Sequence, residues 1–410
     1  MIEGYHKLTR QQQLEQLAQE TGVDLAELTE LATDSIHQQQ IENYLTDFNL
    51  PEGIAVNLVV NGQVYVVPMV TEEPSVIAAA SYGAKMVQRA GGFSANSRRI
   101  MLGQLLISSA QTAPIIDYVK KQKSHLLKVA NAAHPSMQAR GGGAKNLRIR
   151  PLTATKLSVD LMVDTREAMG ANTINSMVEA VKKDLVTQQI AVDMAILSNL
   201  ADQALTEVTC QIPVNQLGVE VAKKISLASD YAQIDPYRAA THNKGIMNGI
   251  DAVVMASGND WRAIESGAHA YAAQNGQYQG LSTWDVVGDQ LVGRMELPLP
   301  VATVGGSIGI NTQAQLNLKL MQIKNAKQLA EVIAAIGLAQ NLAALRAIVS
   351  EGIQLGHMRL QAKSLLIEHG ATQAELGDAV NRLVQAERID AKNAQQIIKQ
   401  LRKKDHDEQS

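Results

Sequence analysis

The chain has 410 residues, 46% apolar and 19% charged, a composition normal for a globular protein. That length suits about two to three domains. A formal net charge of -3 excludes the strongly basic surface that a nucleic acid or an anionic membrane selects, and a single cysteine, Cys210, excludes an intrachain disulfide and a cysteine-based metal site.

Met1–Lys7 has no apolar run of the signal-peptide kind. No uninterrupted apolar stretch reaches the ~18 residues of a membrane span, so the expected location is the cytoplasm, with no membrane partner. Residues 8–33 place Leu14, Leu17, Ala18, Val23, Leu25, Leu28 and Leu31 at helical spacing and predict two short amphipathic helices. Residues 54–70 are β-branched runs on either side of Asn61-Gly62, the strongest short hairpin signal. Pro74 suits the first position of an Ala-rich helix over 75–90, closed by Gly91-Gly92. Strand-like segments at 102–110 and 156–164 flank a helical stretch over 114–130, and Gly141-Gly142-Gly143 marks a turn.

A long helix is predicted over 173–201, further elements over 217–229 and 251–256, and a Pro-bounded strand over 296–304. Residues 326–369 carry Ala and Leu at helical period. The tail 371–403 is more polar, with a capping box in Thr372 and Glu375 and a second helix from about residue 390. Residues 403–410 are expected to be disordered. The mixture is α+β, without a regular βαβ cadence or a GxGxxG, which argues against a Rossmann dehydrogenase.

Four stretches bear chemistry. Glu72-Glu73 lie between a strand and a helix, where they read equally as N-terminal capping acids. Arg238, His242, Asn243 and Lys244 lie beside Gly245 and Gly249; such a group clamps a carboxylate and polarises a carbonyl, or is a solvated loop. Asp260 follows the strand-like run Ala252-Val253-Val254-Met255, a position that suits a catalytic residue or any turn. His357 stands alone among glycines and apolar residues, where a lone histidine is more often structural than catalytic.

Five segments occur in order: Thr71-Glu72-Glu73-Pro74-Ser75-Val76-Ile77-Ala78-Ala79, Asp164-Thr165-Arg166-Glu167-Ala168-Met169-Gly170-Ala171-Asn172-Thr173, Lys244 to Asp251, Gly258-Asn259-Asp260-Trp261-Arg262-Ala263, and Thr303-Val304-Gly305-Gly306. Together they resemble the bacterial class of hydroxymethylglutaryl-CoA reductase, from about residue 50 to 360 and more weakly beyond. The resemblance implies an α+β fold. A large substrate-binding and dimerisation domain (1–99 and 206–360) would carry an inserted ferredoxin-like nucleotide-binding domain (100–205) and a C-terminal helical cap (361–410). It also implies a tight homodimer with shared active sites.

The implied reaction reduces hydroxymethylglutaryl-CoA to mevalonate and free CoA by two hydride transfers. By the same resemblance Glu73 is the acid in proton transfer, Lys244 stabilises the oxyanion, Asp260 tunes both, and His357 protonates the CoA thiolate. Arg238 would bind the substrate carboxylate, with Ser75 and Asn248 hydrogen-bonding the substrate. Met169, Gly170 and Asn172 would approach the nicotinamide. Glu167 stands where the family usually has Asp, so its role is open.

His134 would occupy the position that selects the cofactor, with Arg140 nearby and no acid in 131–136, which favours NADPH over NADH. A catalytically inactive binding homologue is the alternative, against which all four catalytic positions are filled. A thiolase-like acyltransferase would need a nucleophilic cysteine, and Cys210 lies away from every motif.

Overall fold

A computed structural model describes residues 4–350, 353–386 and 388–407, with the side chains at 353–357, 359–360 and 403–407 outside the described ones. The chain up to Pro51 is a compact unit of its own. It holds α1 (Arg10–Thr21) and α2 (Leu25–Thr29), which bear out the two short helices expected over 8–33, and a further one, α3 (His37–Gln40), which was not expected. Thr9 and Gln12 form a full capping box at α1, and Arg10 ties that helix to the carbonyls of Tyr44 and Leu45 at 3.0 and 2.9 Å.

The second unit begins with the hairpin β1 (Glu52–Val60) and β2 (Gln63–Val70). Its turn is Asn61-Gly62, both with positive φ, as a type I′ turn demands. Helix α4 follows (Val76–Gln88), starting two residues later than Pro74 predicts. Pro74 sits in a turn, and Ser75, at φ 74, is the helix N-cap.

After β3 (Ser94–Ser97) the chain enters a module with its own apolar core, including Met101, Leu105, Leu126, Val159, Ile174 and Val178. Its elements are β4 (Ile100–Ser108), α5 (Thr112–Lys121), α6 (Lys123–Ala132), α7 (Pro135–Ala139), β5 (Gly143–Pro151), β6 (Lys156–Asp164), α8 (Ala171–Thr187) and β7 (Met194–Gln203). The sheet is antiparallel, in the order β5-β6-β4-β7, with α6 and α8 packed together. This is the ferredoxin-like split βαβ arrangement.

The long helix predicted over 173–201 is two elements. Gln189, at φ 61, breaks the chain after α8, and 194–203 pair with β4 as an edge strand. Strand β5 goes unpredicted although Leu147-Arg148-Ile149-Arg150 alternates apolar and polar, because the run is short and follows Gly141-Gly142-Gly143. Both arginines reach the fully buried Asp160 on β6, at 3.0 and 2.5 Å, so their charge is spent inside the sheet face.

The chain then returns through β8 (Leu205–Pro213), α9 (Val214–Leu217), α10 (Val219–Ile234), α11 (Pro236–Ala256), α12 (Trp261–Ala272), β9 (Ser282–Val287) and β10 (Gln290–Pro298). Sheet order here is β3-β8-β10-β9. Residues 252–255, read from sequence as strand-like, are the last turn of α11. Lys244 therefore lies mid-helix and not in a loop. The strand expected over 296–304 is the end of β10, and 299–304 are irregular.

Helix α13 (Thr312–Leu320) precedes α14 (Ala326–Val349), the buried axis of the large core. By composition α14 is apolar enough to cross a membrane, but 72% of that stretch is buried within the fold. Neighbouring helices approach it through glycines. A Cβ at Gly83 on α4 would strike the Ala339 carbonyl, and one on Gly337 would lie 2.8 Å from Ile250 of α11.

Helices α15 (Ile353–Glu368), α16 (Leu376–Gln385) and α17 (Ala391–Asp407) enclose a third apolar cluster that includes Leu366, Leu383 and Ile398. The tail expected to be disordered from Lys403 is helical to Asp407; residues 408–410 lie outside the described residues. Only half of the expected capping box forms. Glu375 accepts from the Thr372 N–H at 2.6 Å and is itself the N-cap.

Candidate active site

Two of the expected residues meet where the middle of α11 passes the turn before α4, and two more lie along the same helix. Lys244 Nζ donates to Glu73 Oε2 at 2.5 Å, with the side chains 60% and 39% exposed. Asn248 lies one helical turn from Lys244, so both share a face of α11. Arg238 is in the first turn, where Asp235 caps the helix and accepts from the Arg238 N–H at 3.2 Å. The Arg238 guanidinium has no ion-pair partner among the described residues and is half-buried, a state that suits binding a carboxylate.

Ser75 is exposed and held in a left-handed conformation that L residues rarely adopt, the kind of local strain that clusters at functional sites. His242, two residues before Lys244, points into the core. It meets Ser282 Oγ at 2.7 Å and Asn341 at 3.3 Å, and burial, with Arg238 nearby, holds its pKa down at about 4.

Asp260 lies elsewhere. It is the N-cap of α12, accepting from the N–H groups of Arg262 and Ala263 at 3.0 and 3.2 Å, and it pairs with the Arg262 guanidinium at 3.1 Å. Among the described residues no hydrogen bond or ion pair joins it to Lys244 or Glu73. Instead it lines a cleft of about 520 Å³. One wall is Ala168 to Thr173, which includes Met169, Gly170 and Asn172; the other includes Gly305, Gly306 and Ile308.

Gly170, at φ 89, caps α8, and a side chain there would collide with Thr165. The first turn of α8 carries no acid, so its N–H groups present positive potential toward the cleft. Such a wall fits the pyrophosphate or amide of a dinucleotide.

His134 does not line this cleft, but its Nε2 reaches Thr173 Oγ1 at 3.3 Å. Arg140 is exposed at the end of α7, beside a turn where Lys145 and Arg166 both donate to the Gly141 carbonyl, at 3.0 and 2.5 Å. His357 is in α15, and its side chain lies outside the described residues. Sequence reading missed Arg99 and Lys145, and it placed Arg262 in a motif without assigning it a role. The adjacent pair Arg98-Arg99 at the mouth of β4 was the one available signal.

An α+β body with a ferredoxin-like insertion, a lysine–glutamate pair and a glycine-walled cleft defines an enzyme of the nucleotide-dependent oxidoreductase kind. The profile of the hydroxymethylglutaryl-coenzyme A reductase family matches residues 8–362. The 3-hydroxy-3-methylglutaryl-coenzyme A reductase of Archaeoglobus fulgidus is 39% identical, over 98% of this chain and 94% of its own. A probable reductase of the same name from Borreliella burgdorferi is 34% identical, over 80% of this chain and 77% of its own. The class II reductase of Streptococcus pneumoniae, solved bound to NADPH in open conformations, superposes with a TM-score of 0.76 at 46% identity, covering 96% of this chain and 100% of that one. The chain belongs to the hydroxymethylglutaryl-coenzyme A reductase family.

Proposed function

We propose that the chain reduces 3-hydroxy-3-methylglutaryl-CoA to mevalonate and free CoA, consuming two NADPH and two protons. The observation that carries the site assignment is the Lys244–Glu73 contact at 2.5 Å, on a helix face shared with Asn248 and following Arg238. Bound NADPH would supply the hydrides, and the cleft walled by Met169, Gly170 and Asn172 would hold its nicotinamide end.

The chain's own residues do the rest. Arg238 anchors the substrate carboxylate, and Ser75 and Asn248 orient the remainder. Each hydride addition leaves negative charge on oxygen, which the Lys244 ammonium stabilises; a preorganised donor of this kind is worth about 3–4 kcal/mol. Glu73, in contact with that ammonium, is a carboxylate in the ion pair and must first take up one of the two protons consumed before it can hand it to the oxygen. His357 protonates the CoA thiolate, so that it does not re-attack the aldehyde. His134, bonded to Thr173 in the first turn of α8, and Arg140, at the end of α7, would bias the cleft toward NADPH.

Asp260 completes the set by a second route. It sits in the cofactor cleft and, among the described residues, has no hydrogen bond or ion pair to Lys244, so on this reading one chain holds two part-sites. A homodimer that sets the cleft of one chain against the Lys244–Glu73 pair of the other joins them. On this reading 100–205 is the nucleotide-binding insertion, 361–410 is a cap over the site, and the rest of the chain binds substrate and makes the dimer. The protein would act in the cytoplasm, apart from membranes and nucleic acid.

The test is stoichiometry. Purified protein given hydroxymethylglutaryl-CoA should oxidise two equivalents of NADPH for each CoA released. A ratio of one, or no turnover with either nicotinamide cofactor, rejects the assignment.

A further inference from the structure

The loop 165–170 forms part of one wall of the cleft and contains two left-handed residues, Arg166 at φ 54 and Gly170 at φ 89. A non-glycine residue in that conformation persists only where its surroundings enforce it. Two charged side chains that do not line the cleft supply the enforcement. Arg99, only 7% exposed at the mouth of β4, donates from Nε to the Arg166 carbonyl at 2.7 Å and from Nη2 to the Ala168 carbonyl at 3.1 Å. Glu167, between those two residues, reaches across to the opposite wall.

Glu167 Oε2 accepts from the backbone N–H of Ala326 at 2.6 Å and from Thr303 Oγ1 at 3.2 Å. Its own carbonyl accepts from the Thr303 N–H at 2.9 Å. Ala326 is the first residue of α14, where the helix dipole favours an anion, and Thr303 lies two residues before Gly305 of the far wall. The carboxylate of Glu167 also offsets the charge of buried Arg99. One residue thus ties both walls to the start of the buried axis helix.

We propose that Glu167, seated by Arg99, is the positioning residue of the cleft. It fixes the gap between the 168–173 wall and the 303–308 wall, and so the affinity for the nicotinamide cofactor, without touching the cofactor. This rests on the reading of the cleft as the cofactor site.

The test compares Glu167→Ala, Glu167→Gln and Thr303→Val with the wild type, by fluorescence titration with NADPH and by steady-state kinetics. Glu167→Ala should weaken NADPH binding at least about tenfold, while the KM for hydroxymethylglutaryl-CoA moves less than about twofold and kcat at saturating NADPH stays within about threefold. Glu167→Gln keeps a carbonyl oxygen for the Ala326 N–H and should recover most of the affinity. Thr303→Val removes one bond only, should weaken NADPH by about threefold, and with Glu167→Gln carries the test if Glu167→Ala does not fold.

NADPH affinity within about twofold of wild type in every folded variant overturns the proposal. So do equal rises in both KM values, which mean general loss of structure. A collapse of kcat in Glu167→Gln at saturating NADPH also overturns it, since the carboxylate would then act on the reacting groups themselves. A wild type that binds no NADPH removes the reading of the cleft and this proposal with it; a wild type that binds while the variants are unaffected removes the proposal alone.

Discussion

Lys244 Nζ lies 2.5 Å from Glu73 Oε2, joining the middle of α11 to the turn that precedes α4. Both side chains are well exposed, and an ion pair of this exposure contributes about 0–1 kcal/mol to folding. Its value is chemical. Lys244→Ala should lose at least about 10²-fold in turnover, with substrate binding much less affected. Its thermal midpoint should fall by no more than about 2–4 °C. Turnover near that of the wild type would remove Lys244 from the chemistry.

His357→Gln should separate the two half-reactions. Reduction of the thioester releases a thiolate and should slow strongly, whereas reduction of mevaldehyde releases none and should be nearly spared. Equal loss on both substrates counts against a thiolate-protonating role.

His242 makes stability depend on pH. Burial lowers its pKa from 6.5 to about 4, so the folded protein holds it neutral where the unfolded chain would charge it. Its contribution is present above pH 6.5 and is lost as pH falls toward 4. Denaturant unfolding across that interval should show a steeper decline for wild type than for His242→Gln. Parallel curves would mean that His242 does not titrate differently on unfolding.

Cofactor choice should favour NADPH. The segment 131–136 has no carboxylate to hold a ribose diol, and His134 is bonded to Thr173 in the first turn of α8. The kcat/KM with NADPH should exceed that with NADH; NADH at least as efficient would refute this.

The cap has a core of its own, built from α15, α16 and α17. A small unit of this kind docks weakly, so amides in 376–402 should exchange faster than those of α14 in the free protein. They should slow when substrate and cofactor are both bound. Exchange already as slow as in α14 without ligand would make the cap part of the static core.

Local chemistry was readable where one short signal decides the structure. Asn61-Gly62 announced the hairpin, and the ordered motifs led to Glu73, Lys244 and the glycine wall. Misreadings arose where tertiary context overrides pattern. Residues 194–203 carry a helix-like composition but pair with β4, and 252–255 look extended but finish α11. The short alternation Leu147-Arg148-Ile149-Arg150 of β5 gains its meaning only from Asp160 on the neighbouring strand, which pairs with both arginines. The bridge from Glu167 to Ala326 spans 159 residues, a separation that no periodicity reports.

Glycine contacts along α14 govern more than density. Helix α4, which follows Glu73, meets the axis at Gly83 and Ala339; helix α11, which carries Lys244, meets it at Gly249 and Gly337. The axis therefore acts as a caliper: at Gly83 its jaw is the Ala339 backbone, which has no flexible side chain to absorb an error, while at Gly249 and Gly337 the side chains of Gln340, Ile336, Ile250 and Ile246 close the gap. A single methyl added at Gly83 would push one jaw outward and lengthen the Lys244–Glu73 contact far from where the change was made. In this fold the reach of a proton is gauged by the thickness of a glycine.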